Sequence, residues 1–295
     1  RYIWQINQPL SQVTQLSSAI QSAFAAVDRV FEILNEEEQI PDKEQSVKLD
    51  NPRGDVSFEH VKFGYNDDKI LIHDLNAEIK AGQMVAIVGP TGAGKTTLIN
   101  LLMRFYELKG GSIKIDGVDT RDMKREDLRS LFGMVLQDTW LFNGTIEENI
   151  KYGNFNASKE DVILAAKIAN VHHFIKTLPE GYDMVLNEEA SNISQGEKQL
   201  LTIARAILSD PAILILDEAT SSVDTRLELM LQQAMQNVMK GRTSFVIAHR
   251  LSTIKSADLI LVIKDGNIIE QGNHQELMAK GGFYEELYNS QFAEQ

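Results

Sequence analysis

The sequence predicts an α/β fold: a mostly parallel sheet covered on both faces, with an antiparallel β portion on one side and a helical insert. Three observations predict it. Short apolar runs without polar alternation (MVAIV, AILIL, SFVIA and LILVI) read as strands buried on both faces. Helix-length segments separate them, the pattern of parallel strands joined by crossovers. Between about residues 145 and 190 no convincing strand pattern occurs, only helical ones at 162–169 and 171–178.

In chain order, residues 1–34 form one amphipathic helix. Ile3, Ile6, Leu10, Val13, Leu16, Ile20, Phe24, Val27, Val30, Phe31 and Leu34 recur mostly at steps of three and four. Pro9 favours a kink near its start. The other face carries Gln5, Gln8, Gln12, Gln15 and Gln21, and nothing charged lies between Tyr2 and Val27. Such a helix either packs on a neighbour or is the end of a longer helix leaving a bundle. Residues 35–54, NEEEQIPDKEQSVKLDNPRG, are acidic and hold two prolines, which reads as a linker. From Asp55 onward, VSFEHVKF and ILIHDLNAEI read as antiparallel strands. MVAIVG is then a buried strand, followed by a glycine loop and a helix over 98–105. Strands follow at 212–216, 244–248 and 259–263.

The 295 residues suffice for one or two domains with a core. A net charge of −13 argues against a nucleic-acid binder, which carries a basic face. With no cysteine, disulfides and thiolate metal sites are excluded. No run of eighteen apolar residues or signal peptide is evident, and the first residue is Arg1 rather than Met, the mark of a piece of a longer chain.

The strongest chemical signal is Gly89-Pro90-Thr91-Gly92-Ala93-Gly94-Lys95-Thr96, followed by Thr97. It matches G-x-x-x-x-G-K-[ST] in full, between a strand and a helix. The glycines let backbone N–H groups wrap phosphates, Lys95 adds a cation, and the Thr96 hydroxyl can ligate Mg²⁺. A second signal is Asp217-Glu218 at the end of the AILIL strand. Asp217 is placed to hold Mg²⁺ through water and Glu218 to polarise an attacking water; otherwise the pair only caps the next segment. His249 follows SFVIA at the same edge and suits a γ-phosphate sensor, whereas the other five histidines read as surface or packing. Gln137, in VLQDTWLF, can reach Mg²⁺ or water. Tyr65, in VKFGY, either packs or stacks on a base. SNISQGEKQLLTIARA opens another helix, with Ser194 as cap and Gly196 close behind, and a helix start of this kind is itself an anion grip.

In order and spacing, GPTGAGKTT, VLQDTWLF, SQGEKQLLTIARAI, AILILDEATSSVD and VIAHRLSTI resemble the nucleotide-binding domain of ATP-binding cassette (ABC) transporters over about residues 55–290. The resemblance implies a P-loop NTPase core with an antiparallel β subdomain and a helical subdomain at about 138–210. It also implies a head-to-tail dimer that clamps each ATP between one chain's phosphate loop and the other's Ser194–Glu197 segment. By the same resemblance Tyr65 stacks on adenine, Gln137 is a sensor and metal ligand, Glu218 is the catalytic carboxylate and His249 the switch histidine. Asp224 belongs to the loop that communicates across the dimer. The chain is most similar to exporters whose membrane domain precedes the nucleotide domain. Residues 1–34 then resemble the end of the last membrane helix, with the membrane domain absent from this chain and the nucleotide domain on the cytoplasmic side of the cell membrane.

The family's usual LSGGQ stands here as ISQGE: Gln195 replaces a glycine and Glu197 a glutamine. An acid suits a helix N-terminus but weakens a grip on an anion. Intact catalytic residues beside an altered signature resemble the intact half of a heterodimeric bacterial multidrug-type exporter, partnered by a different homologous chain and moving small amphipathic or multidrug cargo. A homodimeric lipid or peptide exporter is the alternative. A DNA-repair type ABC ATPase is the non-transport alternative, but the stretches from Lys95 to Gln137 and from Gln137 to Ser194 hold no heptads for its coiled coil.

Overall fold

The computed structural model describes residues 2–66, 68–136, 139–187, 190–217, 225–248 and 250–291. The chain divides into two compact units, Arg1–Pro41 and Asp42–Gln295. The first is built on α1 (Tyr2–Leu34), an unbroken helix with Pro9 inside it. Its apolar stripe, including Val13, Leu16, Ile20, Phe24 and Phe31, is exposed. Among the described residues, no helix is long and apolar enough to cross a membrane.

In the second unit, a six-stranded sheet runs β12-β11-β3-β10-β9-β6. Its members are β3 (Met84–Val88), β6 (Phe132–Val135), β9 (Ile213–Asp217), β10 (Thr243–Ile247), β11 (Leu259–Lys264) and β12 (Asn267–Gly272). All neighbours are parallel except the hairpin β11–β12. Side chains alternate across each strand. Ala86, Val88, Leu214, Leu216 and Val246 therefore enter one core, and Val85, Ile87, Ile213, Ile215, Phe245 and Ile247 the other. Both faces are dry, which is why these strands read as unbroken apolar runs.

The second core is closed by a four-stranded antiparallel sheet, β2-β1-β4-β5. It comprises β1 (Val56–Phe63), β2 (Ile72–Ile79), β4 (Gly110–Ile115) and β5 (Val118–Asp119). The same core takes in α2 (Lys95–Leu102), which buries Leu98, Ile99, Leu101 and Leu102. The helix begins three residues earlier than its apolar residues suggest, because the glycine loop runs directly into its first turn. It ends before Arg104, whose φ is 53°.

The first core is covered by α4 (Ile146–Lys151), α5 (Lys159–Ile168), α6 (His172–Thr177), α7 (Gln195–Ser209), α8 (Thr225–Met239) and, toward the chain end, α9 (Leu251–Ser256), α10 (His274–Lys280) and α11 (Phe283–Gln291). Each of α4, α5 and α7 starts with a reciprocal capping box, Thr145/Glu148, Ser158/Asp161 and Ser194/Glu197. A two-residue ladder, β7 (Gly144–Thr145) with β8 (Val185–Leu186), lies within the region read as strand-free. Two residues are too few to show a period in sequence. A short helix, α3 (Arg125–Ser130), precedes β6.

Residues 42–54 are bonded to this unit. Asp42 accepts hydrogen bonds from Arg104 and Arg125, which also share Glu107, and both arginine side chains are at least nine-tenths buried. Val47 N–H donates to Asp122 O, and the Thr243 hydroxyl donates to Gly54 O across 2.7 Å.

Candidate nucleotide site

The phosphate loop sits where β3 ends. In register, Ile87 of β3, Ile247 of β10 and Asp217 of β9 stand side by side, so the carboxyl ends of three parallel strands meet there. That edge is where open α/β sheets bind ligands.

Gly89 leaves β3 with φ 155°, and a Cβ there would fall 2.2 Å from Ile263 O. Gly94 caps α2 in the left-handed region with no side-chain hydrogen bond to the first turn, which also holds no acid. The N–H groups at the start of α2 are therefore left for an anion. The loop is braced from below. Ala93 N–H donates to Pro90 O, and Gly266 N–H donates to Ala93 O across 2.9 Å. Gly266 lies in the Asp265-Gly266 turn of the β11–β12 hairpin, and its Cα would lie 3.3 Å from a Cβ at Gly94. This brace was not singled out from sequence, although a D-G pair between two apolar runs is a hairpin signal.

Lys95 Nζ donates to Gly89 O at 2.7 Å and Pro90 O at 3.1 Å, folded over the loop. Burial pulls its ammonium below the usual lysine value, and the charge of Asp217 draws it part of the way back. Thr91, Gly92 and Thr96 are exposed at the loop's open side. Thr97 is buried, its hydroxyl 2.9 Å from the Tyr65 hydroxyl. Tyr65 is thereby tied to the helix behind the loop. Its ring stands edge-on to Phe63 and Tyr106 and stays 53% exposed. The structure thus brings together Tyr65, residues 89–97 and Asp217.

The Asp217 Oδ1 atom is buried and has no hydrogen-bond partner among the described residues. An orphaned carboxylate oxygen and the exposed Thr96 hydroxyl at the start of α2 are donors of the kind that fit a hard cation such as Mg²⁺. Among the described residues no cluster of three acidic or histidine side chains forms a metal site by itself. Mg²⁺ in phosphate-loop sites takes few protein ligands and the rest from substrate. Gln137, Glu218, Asp224 and His249 lie outside the described residues.

The start of α7 departs from an open anion grip. Ser194 Oγ accepts from Glu197 N–H, and the Glu197 carboxylate accepts from Ser194 N–H at 2.8 Å. A negative charge of the chain itself therefore occupies the helix terminus. The Gln195 amide donates to the Thr139 hydroxyl at 3.1 Å, tying the terminus to the segment that follows Gln137. Gly196 is buried, as are Leu200, Leu201, Ile203 and Ala204 along the stripe beneath. Of the other histidines, His172 and His274 pair with the Tyr182 and Tyr284 hydroxyls and His60 with Asp74.

A phosphate loop opening α2, a lysine across it and an orphaned aspartate at the end of β9, one strand removed from β3, define a nucleoside-triphosphate-binding domain. The sequence profile of the ABC transporter family matches residues 72–221, and the chain belongs to that family. It is an ATP-binding, ATPase domain of that family, of mixed α/β fold.

Relatives include a fatty acid ABC transporter ATP-binding/permease protein of Mycobacterium bovis, 54% identical over 97% of this chain and 45% of the relative. An ATP-dependent lipid A-core flippase of Desulfotalea psychrophila is 48% identical over 96% of this chain and 49% of the relative. The solved structure of a bacterial Atm1-family ABC exporter with ATP bound is similar with TM-score 0.82 and 41% identity, covering 99% of this chain and 51% of that one. The chain thus spans about half the length of the curated relatives it matches.

Proposed function

We propose that this chain is the motor of an exporter in the cell membrane, hydrolysing ATP on the cytoplasmic side to move an amphipathic, lipid-like or drug-like cargo. The observation that carries the reading is the uncapped α2 terminus, with Lys95 across the loop and the orphaned Asp217 oxygen beside it. The names of the relatives support acyl-bearing cargo in particular. In this reading residues 1–34 end the last helix of a membrane domain, 35–54 link it, and 55–295 form the nucleotide domain with a helical subdomain at about 138–210.

Each residue then has a task. Residues 89–97 wrap the phosphates with backbone N–H groups, and Lys95 offsets charge growing on the transferring phosphoryl group. Tyr65 presents its ring to adenine. Thr96, Asp217 and Gln137 would hold Mg²⁺, which when bound neutralises charge between the β- and γ-phosphates. Glu218 orients the attacking water, His249 contacts the γ-phosphate and Asp224 faces the second subunit. Ser194, Gln195, Gly196 and Glu197 cover the nucleotide of that subunit. Glu218→Gln in the full-length transporter is expected to retain ATP binding and lose at least about 100-fold in turnover, measured by phosphate release. Normal turnover would remove Glu218 from this role.

The capping box at Ser194/Glu197 favours a partner that is a different homologous chain, because it fills this chain's own grip with a carboxylate. Glu197→Gln keeps a side chain able to complete the box and removes the charge. It is expected to raise nucleotide affinity at the covered site about two- to fivefold in the assembled transporter. A complex extracted from the native membrane should contain a second ABC chain at equal stoichiometry. Pairs of this chain alone would establish the homodimer instead.

A further inference from the structure

A partly open cavity of about 130 Å³ lies between α7, α8 and α9 and the face of the large sheet. Its wall is largely apolar and rich in methionine, with Met84, Met235 and Met239 joined by Ile203, Leu231 and Val246. Polar residues share the lining, among them Gln232 and Gln236 of α8 and Ser252 and Ser256 of α9. Gln199 of α7 is 6% exposed, and its Oε1 has no hydrogen-bond partner among the described residues. Asp217, at the end of β9, also lines it. A buried amide oxygen without a donor is unfavourable, so a cavity containing one is poised to accept a donor.

We propose that this cavity is a regulatory site for a small aromatic molecule bearing one hydrogen-bond donor, of which phenol is the simplest. The volume is close to that of an engineered cavity that holds benzene, about 150 Å³. The methionines favour an aromatic guest, since thioethers make attractive contacts with ring edges and adapt to irregular shapes. The Gln199 oxygen selects a guest that donates. The guest would be felt at the nucleotide, because Asp217 belongs both to this wall and to the strand end beside the phosphate loop. It would be felt at the second grip as well, because Gln199 lies one turn into α7 from Ser194.

The test uses the 295-residue chain with isotope-labelled methionine methyl groups, titrated with phenol and separately with benzene. Phenol is expected to shift the Met84, Met235 and Met239 resonances saturably, and to bind roughly three- to tenfold more tightly than benzene. In Gln199→Leu that preference should vanish while benzene binding persists, which also shows that the cavity has survived the substitution. If the variant fails to fold, the phenol-to-benzene comparison on the unaltered chain decides. No saturable shift at millimolar phenol, or equal affinity for the two probes, would mean a cavity holding water only and would overturn the proposal. Phenol should also slow ATP turnover by the full-length transporter at concentrations that saturate the methyl shifts, and binding without that effect would overturn the regulatory role. The binding measurement does not depend on the proposed transport function, so a failure of one is distinguishable from a failure of the other.

Discussion

Lys95→Ala is expected to lower ATP turnover at least about 100-fold, the loss found when one fixed charge-stabilising group is removed from a preorganised site. The reason is visible in the geometry. Nζ is held by Gly89 O and Pro90 O, so the cation is positioned over the loop before any nucleotide arrives. Half-burial lowers its ammonium pKa, yet the nearby Asp217 charge offsets part of that penalty. Removing the cation deprives the phosphates of their nearest fixed positive charge and leaves Asp217 without its electrostatic counterpart. Alanine is a good residue for the first position of a helix, so α2 and the thermal midpoint should be nearly unchanged. Phosphate release, equilibrium nucleotide binding and calorimetry on the same preparation separate these effects. A variant that hydrolyses ATP at the native rate would show that the loop is not the catalytic grip.

Legibility followed the range of the interaction. The strand before the loop, the loop itself and β9, β10 and β11 were readable because two-sided burial leaves unbroken apolar runs. The site was readable where one motif carries it, from Gly89 to Thr97. Ser194 and Glu197 stand in the S-x-x-E pattern of a capping box. Read against the family's glutamine, Glu197 looked like a loss of grip. Read against the helix, it is also a cap, and the two effects share one carboxylate. What sequence did not disclose arises from residues far apart in the chain. The β7–β8 ladder has no period of its own, and the Gly266 turn reaches the loop only after β11 has paired with β3. The cavity under α7 depends on how three helices fail to fill the space above the sheet, which no local pattern encodes.

Gly89→Ala should be the most damaging single-carbon change at the site, with loss of turnover and a fall in thermal midpoint of roughly 5–10 °C. Gly89 follows β3 directly and lies against β11, where an added Cβ would stand 2.2 Å from Ile263 O. The obstacle is backbone, and β11 is held between β3 and β12, so it cannot withdraw without loosening a central ladder. Its positive φ adds a backbone penalty of about 1–3 kcal/mol for any L-residue. Gly82→Ala separates the two terms. Gly82 has a φ of 81° in the turn between β2 and β3, with nothing within 4 Å of an added Cβ. That variant should carry the backbone penalty alone, with a smaller fall in midpoint and turnover close to native. If Gly82→Ala and Gly89→Ala lowered the midpoint equally, the close approach of the loop to Ile263 would contribute nothing. If Gly89→Ala alone lost both stability and turnover, the contact between loop and strand β11 would be what holds the phosphate grip in shape.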